Sequence, residues 1–140
     1  MGRVDRKEVL AKALEGVDRE HDMIYEILNK IQYSHTNHLS AGLRKSLIKE
    51  LYLFLDFHFT SEENLLVMFD CPDCELHKKE HDVLRHKLAE LIGSLDVEDF
   101  DYGDLEEFVT EWLKSHTRHS DARLSQFIEI QCRHELGKES

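Results

Sequence analysis

The sequence of 140 residues predicts an all-α protein, and three observations lead to that fold class. Helix-forming residues dominate the chain, which has only six glycines and a single proline, Pro72. Apolar residues recur every three or four positions in four segments, the spacing of one face of a helix. Short polar breaks separate these segments. We therefore expect an up-down-up-down antiparallel four-helix bundle, with an N-terminal arm and a short C-terminal extension.

The first two helices are predicted from two apolar stripes. Residues 1–16 are amphipathic and could form an arm or a short helix before the first of these helices. The first stripe consists of His21, Ile24, Leu28 and Ile31. Ser40 and Gly42 break the pattern. The second stripe is longer and consists of Leu43, Leu47, Leu51, Phe54, His58, Glu62, Leu65 and Phe69. Two polar residues therefore interrupt an otherwise apolar face.

The third and fourth helices follow a turn at residues 71–73, because Pro72 disfavours a helical residue before it and suits the first turn after it. The third stripe consists of His77, His81, Leu84, Leu88 and Leu91. Gly93 and an acidic loop end this helix, and Asp104 with Glu107 fits a capping box at the start of the next. The fourth stripe consists of Leu105, Phe108, Trp112 and His116.

Length and charge limit the domain count and the partners. A chain of 140 residues supports one core, so we expect a single domain over 1–140, with the bundle over about 17–124 and an extension over 125–140. A net charge of -11 would repel nucleic-acid phosphates and anionic lipids, so neither nucleic acid nor a membrane is expected as a partner. The sequence shows no signal peptide or membrane-spanning apolar run, which predicts a cytoplasmic location.

The candidate functional residues are polar pairs on the buried stripes. His58 with Glu62, and His77 with His81, are each spaced i, i+4, and such groups are costly to bury unless they are paired or bind a metal. Imidazole nitrogens with carboxylate oxygens suit iron, manganese or zinc. The full set of candidate ligands is His21, His58, Glu62, His77, His81, His116 and Asp121. Seven ligands exceed the needs of one tetrahedral zinc and favour two ions bridged by carboxylates.

Asp121 poses a geometric problem. Five residues along an ideal helix rotate by about 140° beyond a full turn, so His116 and Asp121 would not share a face of a regular helix. If both bind one centre, the fourth helix should bulge between them as a π-type turn. His119, three residues after His116, is the competing ligand on a straight helix.

Three alternatives stay open. A metal-free bundle would keep its histidines buried and hydrogen-bonded. A ferritin-like di-metal oxidase would use Glu-x-x-His pairs, which this sequence lacks. Cys71 and Cys74 form a Cys-x-x-Cys motif, which elsewhere is a redox motif or half of a zinc site, while Cys132 is far away in sequence. Two loop thiols beside a helix start are the favoured interpretation of the pair.

Several motifs together resemble the hemerythrin family, and specifically its single-domain bacterial members. They cover roughly residues 17–124. The motifs are Gly16-Val17-Asp18 with Asp22 around His21, His58-Phe59-x-x-Glu62-Glu63-x-Leu65, Pro72 five residues before His77, His77-x-x-Glu80-His81, and Trp112-Leu113-x-x-His116-x-x-x-x-Asp121.

The resemblance implies how the ligands divide. One iron would be held by three histidines, His77, His81 and His116. The other would be held by His21 and His58, and Glu62 and Asp121 would bridge the two ions together with an oxo or hydroxo group. The iron with two histidines would bind dioxygen reversibly, which implies a non-enzymatic carrier, store or local oxygen supply. A sensor of oxygen, redox state or nitric oxide, or an enzyme reducing peroxide or nitric oxide, is the alternative.

The resemblance also implies which residues lie around the open position. By family position these are Ile24, Phe59, Trp112, Leu113 and Thr117. Plain core packing is the alternative account of the apolar members. Thr117 stands where isoleucine is common in the family, and its hydroxyl could admit water, so we expect faster autoxidation. Cys71 likewise stands where a tyrosine is usual, and the N-terminal arm lacks the family's tryptophan.

Overall fold

The computed structural model describes residues 5–93 and 101–138, and within them only helices and short connections occur. The helices are α1 (Arg6–Thr36), α2 (Ala41–Met68), α3 (Cys74–Gly93), α4 (Tyr102–His116), a π-helical turn (Thr117–Asp121) and α5 (Ala122–Lys138). The last three follow one another without a break, so they form the fourth helix of the bundle. The predicted all-α four-helix bundle is confirmed, and the acidic loop over 94–100 lies outside the described residues.

Side-chain caps fix where the first two helices begin. The Asp5 carboxylate accepts a hydrogen bond from the backbone N–H of Glu8 at 2.9 Å, and the Ser40 hydroxyl accepts one from the N–H of Leu43 at 3.2 Å. Each cap satisfies a donor that has no partner inside its own helix. The break predicted at Ser40 is therefore confirmed, with Ser40 as the N-cap of α2.

The start of the fourth helix differs from the predicted capping box. Asp101 is the N-cap, since its carboxylate accepts from the N–H of Asp104 at 3.2 Å. Placing the helix start at Asp104 and Glu107 was therefore wrong by one turn. Tyr102, the first helical residue, is buried and donates its hydroxyl to the carbonyl of Leu28 at 3.0 Å, which anchors α4 on α1.

A left-handed residue ends α2 before the proline. Asp70 has φ +52°, and its N–H donates to Val67 while that of Cys71 donates to Leu66. This pair of hydrogen bonds is the Schellman arrangement, which satisfies the last carbonyls of a helix. The chain then turns at Pro72 and enters α3. The stop predicted at residues 71–73 is therefore confirmed, and α2 ends just before it.

Two apolar clusters hold the helices together. The larger lies between α1, α2, α3 and α4, and its fully enclosed members are Ile24, Leu51, Phe59, Leu84, Leu88 and Val109. The smaller cluster consists of Leu10, Leu66, Phe69, Leu124 and Ile128. Burying one such leucine completely stabilises the fold by about 1.5–3 kcal/mol. The two clusters pack the middle of α1 onto α2–α4 and its first turns onto α5.

The smaller cluster explains the two chain ends. Residues 6–16 are the first turns of α1 and not a separate arm, and they are anchored by Leu10, which has 0% exposure. The extension predicted after the bundle is the helix α5, which contacts α1. In the described ranges 5–93 and 101–138, no helix is long and apolar enough to cross a membrane.

Candidate metal centre

Seven side chains from all four helices of the bundle converge on one region, and they are the seven predicted ligands. Their ligand-type atoms form two groups, each with all atoms within 4.8 Å of one another. One group consists of Glu62, His77, His81, His116 and Asp121. The other consists of His21, His58, Glu62 and Asp121. The groups contain three and two histidines and share both carboxylates.

Glu62 faces the two histidine groups with different oxygens. Its Oε1 lies 2.8 Å from Nε2 of His58, which belongs to the two-histidine group. Its Oε2 lies 2.9 Å from Nε2 of His77 and 3.2 Å from Nε2 of His81, which belong to the three-histidine group. The i, i+4 spacing of His58 and Glu62 on α2 places both on the same face. This carboxylate can therefore bind one ion with each oxygen.

Asp121 is arranged in the same way from the opposite helix. Its Oδ2 lies 3.0 Å from Nε2 of His21, and its Oδ1 lies 3.0 Å from Nε2 of His116. The π-helical turn Thr117–Asp121 brings Asp121 onto the face of His116. The predicted bulge is therefore confirmed. His119, the competing candidate on a straight helix, is exposed and belongs to neither group.

Several of these buried atoms have no hydrogen-bond partner among the described residues. They are Nε2 of His21, Nε2 of His58, Oε1 of Glu62 and both carboxylate oxygens of Asp121. His58 and Glu62 lie 2.8 Å apart and His21 and Asp121 lie 3.0 Å apart, yet the atoms of neither pair align as a hydrogen bond requires. Leaving such groups unpaired costs about 1–3 kcal/mol each, and more when they are charged. A nitrogen and oxygen donor set with unused lone pairs fits iron, manganese or zinc ions.

Three further acids orient the histidines from outside. Nδ1 of His58 lies 2.9 Å from Glu20 and Nδ1 of His81 lies 2.7 Å from Glu63. On the fourth helix, His116 pairs with Glu80 in the same manner at 3.0 Å. A carboxylate on Nδ1 fixes the ring and leaves Nε2 as the ligand atom. Glu63 and Glu80 occur in the quoted motifs, but no sequence pattern assigns roles to these acids.

Two of these acids are themselves held in place. Arg85 donates to Glu63 at 2.7 Å and to Asp56 at 2.8 Å, so α2 and α3 are tied together beside His81. Burial opposes the charge of Arg85, but the neighbouring carboxylates outweigh it and raise its pKa. Ser120, inside the π turn, donates to Glu80. The π turn therefore positions a hydrogen bond to Glu80 as well as Asp121.

The side chains of the centre shift one another's pKa. Burial disfavours the charged imidazole of His58, but the carboxylates of Glu62 and Glu20 outweigh it and raise its pKa to about 9. Burial acts likewise on His116, and Asp121 and Glu62 raise its pKa to about 10. The histidines in turn hold the pKa of Glu62 and Asp121 well below the usual range, against the effect of burial. A metal ion that binds here would displace protons.

The five residues expected around the open position occupy different sides of the centre. Phe59 is fully buried and stacks on His81, with ring centroids 4.1 Å apart. Trp112 stacks on His116 at 4.5 Å, on the three-histidine side. Leu113 and Thr117 line an open cleft on the two-histidine side. Ile24, the fifth, is fully buried in the larger apolar cluster.

The cleft on the two-histidine side reaches a candidate ligand. His21 lines it together with Tyr25, Leu113, Lys114, Thr117 and Arg118. The side chain of His21 is 14% exposed, whereas the other six candidate ligands are at most 4% exposed. The two-histidine group therefore has both fewer protein ligands and better access from solvent.

Comparison with known proteins agrees with this geometry. The family described as Hemerythrin HHE cation binding domain matches residues 12–128. The chain is 27% identical over 124 residues to the bacteriohemerythrin of Clostridium acetobutylicum, covering 82% of this chain and 93% of that protein. It is 31% identical over 114 residues to the bacteriohemerythrin of Aquifex aeolicus, covering 79% and 86%.

Another relative is similar to the same degree. The chain is 29% identical over 108 residues to a hemerythrin-like protein of Naegleria gruberi, covering 76% of this chain and 78% of that protein. No solved structure matches. The family match spans most of the chain, including every residue of both ligand groups. The chain belongs to the hemerythrin family.

Proposed function

We propose that this chain binds dioxygen reversibly at a non-heme di-iron centre and serves as an oxygen carrier, store or local oxygen supply. The observation that carries the proposal is the placement of the two shared carboxylates. Glu62 and Asp121 each present one oxygen to the three-histidine group and the other to the two-histidine group. Two bridged ions use this arrangement fully, whereas one ion would leave half of the oxygens unused.

The residue roles follow from the two groups. One iron would be held by His77, His81 and His116, and the other by His21 and His58. Glu62 and Asp121 would bridge them together with an oxo or hydroxo group. When bound, two ferrous ions supply the two electrons that dioxygen takes up and gives back. Five neutral imidazoles and two carboxylates leave these ions a net positive charge, which favours an electron-rich ligand.

The surroundings of the two-histidine side suit a small neutral ligand. The cleft beside His21 gives access from solvent, while Leu113 forms part of its wall. Ile24 and Phe59 are fully buried, and we expect them to keep water from the inner face of the centre. A dry site slows the loss of a reduced oxygen species to solvent, because it withholds the water and protons that such a loss needs.

Anaerobic loading with ferrous iron tests the proposal. We expect about two iron ions per chain and an absorption band that appears with oxygen and disappears under argon. His58→Ala should lose the iron of the two-histidine group and retain the other, whereas Glu62→Ala should weaken both. His119→Ala is the matched control, since His119 is exposed and outside both groups, and it should bind iron as the parent does.

Two results would contradict this function. One is a centre that retains zinc in place of iron when both are offered. The other is irreversible oxidation at the first exposure to oxygen, with no return of the deoxygenated spectrum under argon. Net consumption of oxygen during repeated cycles would instead point to an enzyme.

A further inference from the structure

Two thiols lie beside the centre, in the turn between α2 and α3. Cys71 and Cys74 are both half-buried, and neither is in a disulfide. We propose that they are a redox-active dithiol that returns electrons to the metal centre after its irons have been oxidised. This inference rests on the proposed di-iron function.

The two cysteines are placed to form a disulfide with each other. Pro72 and Asp73 form the turn between them, and Cys74 is the first residue of α3. The ends of such a four-residue turn lie less than about 7 Å apart at their Cα atoms, and disulfides span about 4.4–6.8 Å. Both side chains also pack against the same small cluster around Leu66, so they lie on the same side of the turn.

Cys71 also lies next to a candidate iron ligand. It shares the wall of a cavity of ≈ 10 Å³ with His77 and Ser120, and this is about the room that one water molecule needs. Cys74 is three residues before His77 on α3, so the two side chains are neighbours on the helix surface. The dithiol therefore lies on the side of the three-histidine group, and the proposed electron transfer would reach the centre by way of His77.

The chemistry of the step balances. Two thiols become one disulfide and release two protons and two electrons. The two electrons reduce two ferric ions to two ferrous ions, and the half-buried turn gives the protons a way to solvent. An external dithiol then restores the pair by thiol–disulfide exchange. The step matters because a ferric centre, formed whenever bound oxygen leaves in reduced form, has lost the electrons that oxygen binding needs.

A first experiment tests the disulfide without any metal. All proteins carry Cys132→Ser, so that thiol counting reports only the pair. Metal-free protein is equilibrated in glutathione buffers of increasing oxidation, then alkylated and digested. We expect a disulfide between Cys71 and Cys74. The digest should then contain these two cysteines in a form two hydrogens lighter than the dithiol. Thiols that stay reduced throughout, or that form only mixed disulfides with glutathione, would overturn the proposal.

A second experiment tests electron return. Diferric protein with the pair oxidised is treated anaerobically with a phosphine that reduces disulfides, and the diferric absorption is followed. We expect it to disappear in the parent and to persist in Cys71→Ser and in Cys74→Ser at equal iron content. Equal loss in the serine variants would refute the inference and leave the di-iron function intact. A lack of diferric absorption in every protein would instead refute the proposed function.

Discussion

Nε2 of His116 lies 3.0 Å from Oδ1 of Asp121, although five positions along a regular helix would turn these side chains about 140° apart. The π-helical turn Thr117–Asp121 resolves the conflict by adding one residue to the turn. Asp121 thereby takes the place that the fourth residue after His116 would take on a regular helix, and α5 continues in contact with α1. Such turns often occur at functional sites.

Removal of one residue from the π turn should preserve the centre. Arg118 is exposed, and its deletion makes the aspartate the fourth residue after the histidine, which is the spacing of one face of a regular helix. We expect the deletion variant to bind as much iron as the parent. An alanine inserted after Arg118 places the aspartate six positions away, about 240° around a regular helix, and should reduce the iron content.

Iron counting after desalting, with circular dichroism to confirm folding, distinguishes the two variants. Loss of iron in the deletion variant together with retention in the insertion variant would show that Asp121 does not act through its position on the face of His116.

Each carboxylate that orients a histidine should control the affinity of only one of the two metal sites. Glu20 lies 2.9 Å from Nδ1 of His58, in the two-histidine group. Glu20→Gln keeps the shape but removes the charge that fixes the imidazole, and the loss of such a partner typically weakens metal binding about 10–100-fold. We expect this loss at the two-histidine site, with the three-histidine site nearly unchanged.

Titration with Co²⁺, whose absorption reports its coordination, measures the two binding steps. Glu50→Gln is the matched control, because Glu50 is an exposed acid that pairs with Lys30 at 2.8 Å. Equal affinities for Glu20→Gln and the parent would show that Glu20 does not orient His58.

Helical periodicity explains why so much of the site could be predicted. His58 and Glu62, and likewise His77 and His81, interrupt apolar stripes at i, i+4, so a predicted helix places each pair on a buried face. Asp121 could be placed only by requiring a departure from regular geometry. The orienting acid Glu20 lies beside a ligand in sequence but off the stripe, and exposed acids are common on any helix.

The helix ends show where prediction from the sequence reached its limit. An arm or short helix over residues 1–16 was expected to precede the first helix of the bundle, yet α1 runs through Gly16 without a break. A glycine inside a helix costs about 1 kcal/mol, which is less than the burial of Leu10 in the same helix contributes. The capping acid at the fourth helix could not be chosen by local sequence either, because Asp101 and Asp104 both have the right chemistry and lie three residues apart.

The metal-free protein should lose stability as the pH rises above neutrality. The pKa is raised to about 9 for His58 and about 10 for His116 in the folded chain, against about 6.5 in the unfolded chain. Their contribution is complete below about pH 6.5 and is lost as the pH rises through the folded values. Each unit of pKa difference corresponds to about 1.4 kcal/mol, so we expect the free energy of unfolding to fall by a few kcal/mol.

Urea unfolding of chelator-treated protein at pH 6.5 and at pH 9.5 measures this difference. The iron-loaded protein should show a smaller decrease, because its histidines are neutral ligands at both values. His116→Gln should also reduce the decrease, since it removes one of the two groups. A metal-free protein that is equally stable at both pH values would contradict the raised pKa values.

The wall of the cleft beside His21 should set how long the oxygenated state persists. Thr117 is exposed there and brings a hydroxyl to a wall that Leu113 makes partly apolar. Thr117→Val replaces this hydroxyl by a methyl group of similar size, and Thr117→Ile adds bulk as well. If the hydroxyl admits water toward the centre, both variants should autoxidise several-fold more slowly than the parent at equal iron content, with Thr36→Ile, at the far end of α1, as the control. The decay of the oxygenated absorption in air-saturated buffer gives the rate. A slower rate in the isoleucine variant alone would assign the effect to bulk, and rates equal to that of the parent in both variants would show that Thr117 has no part in autoxidation.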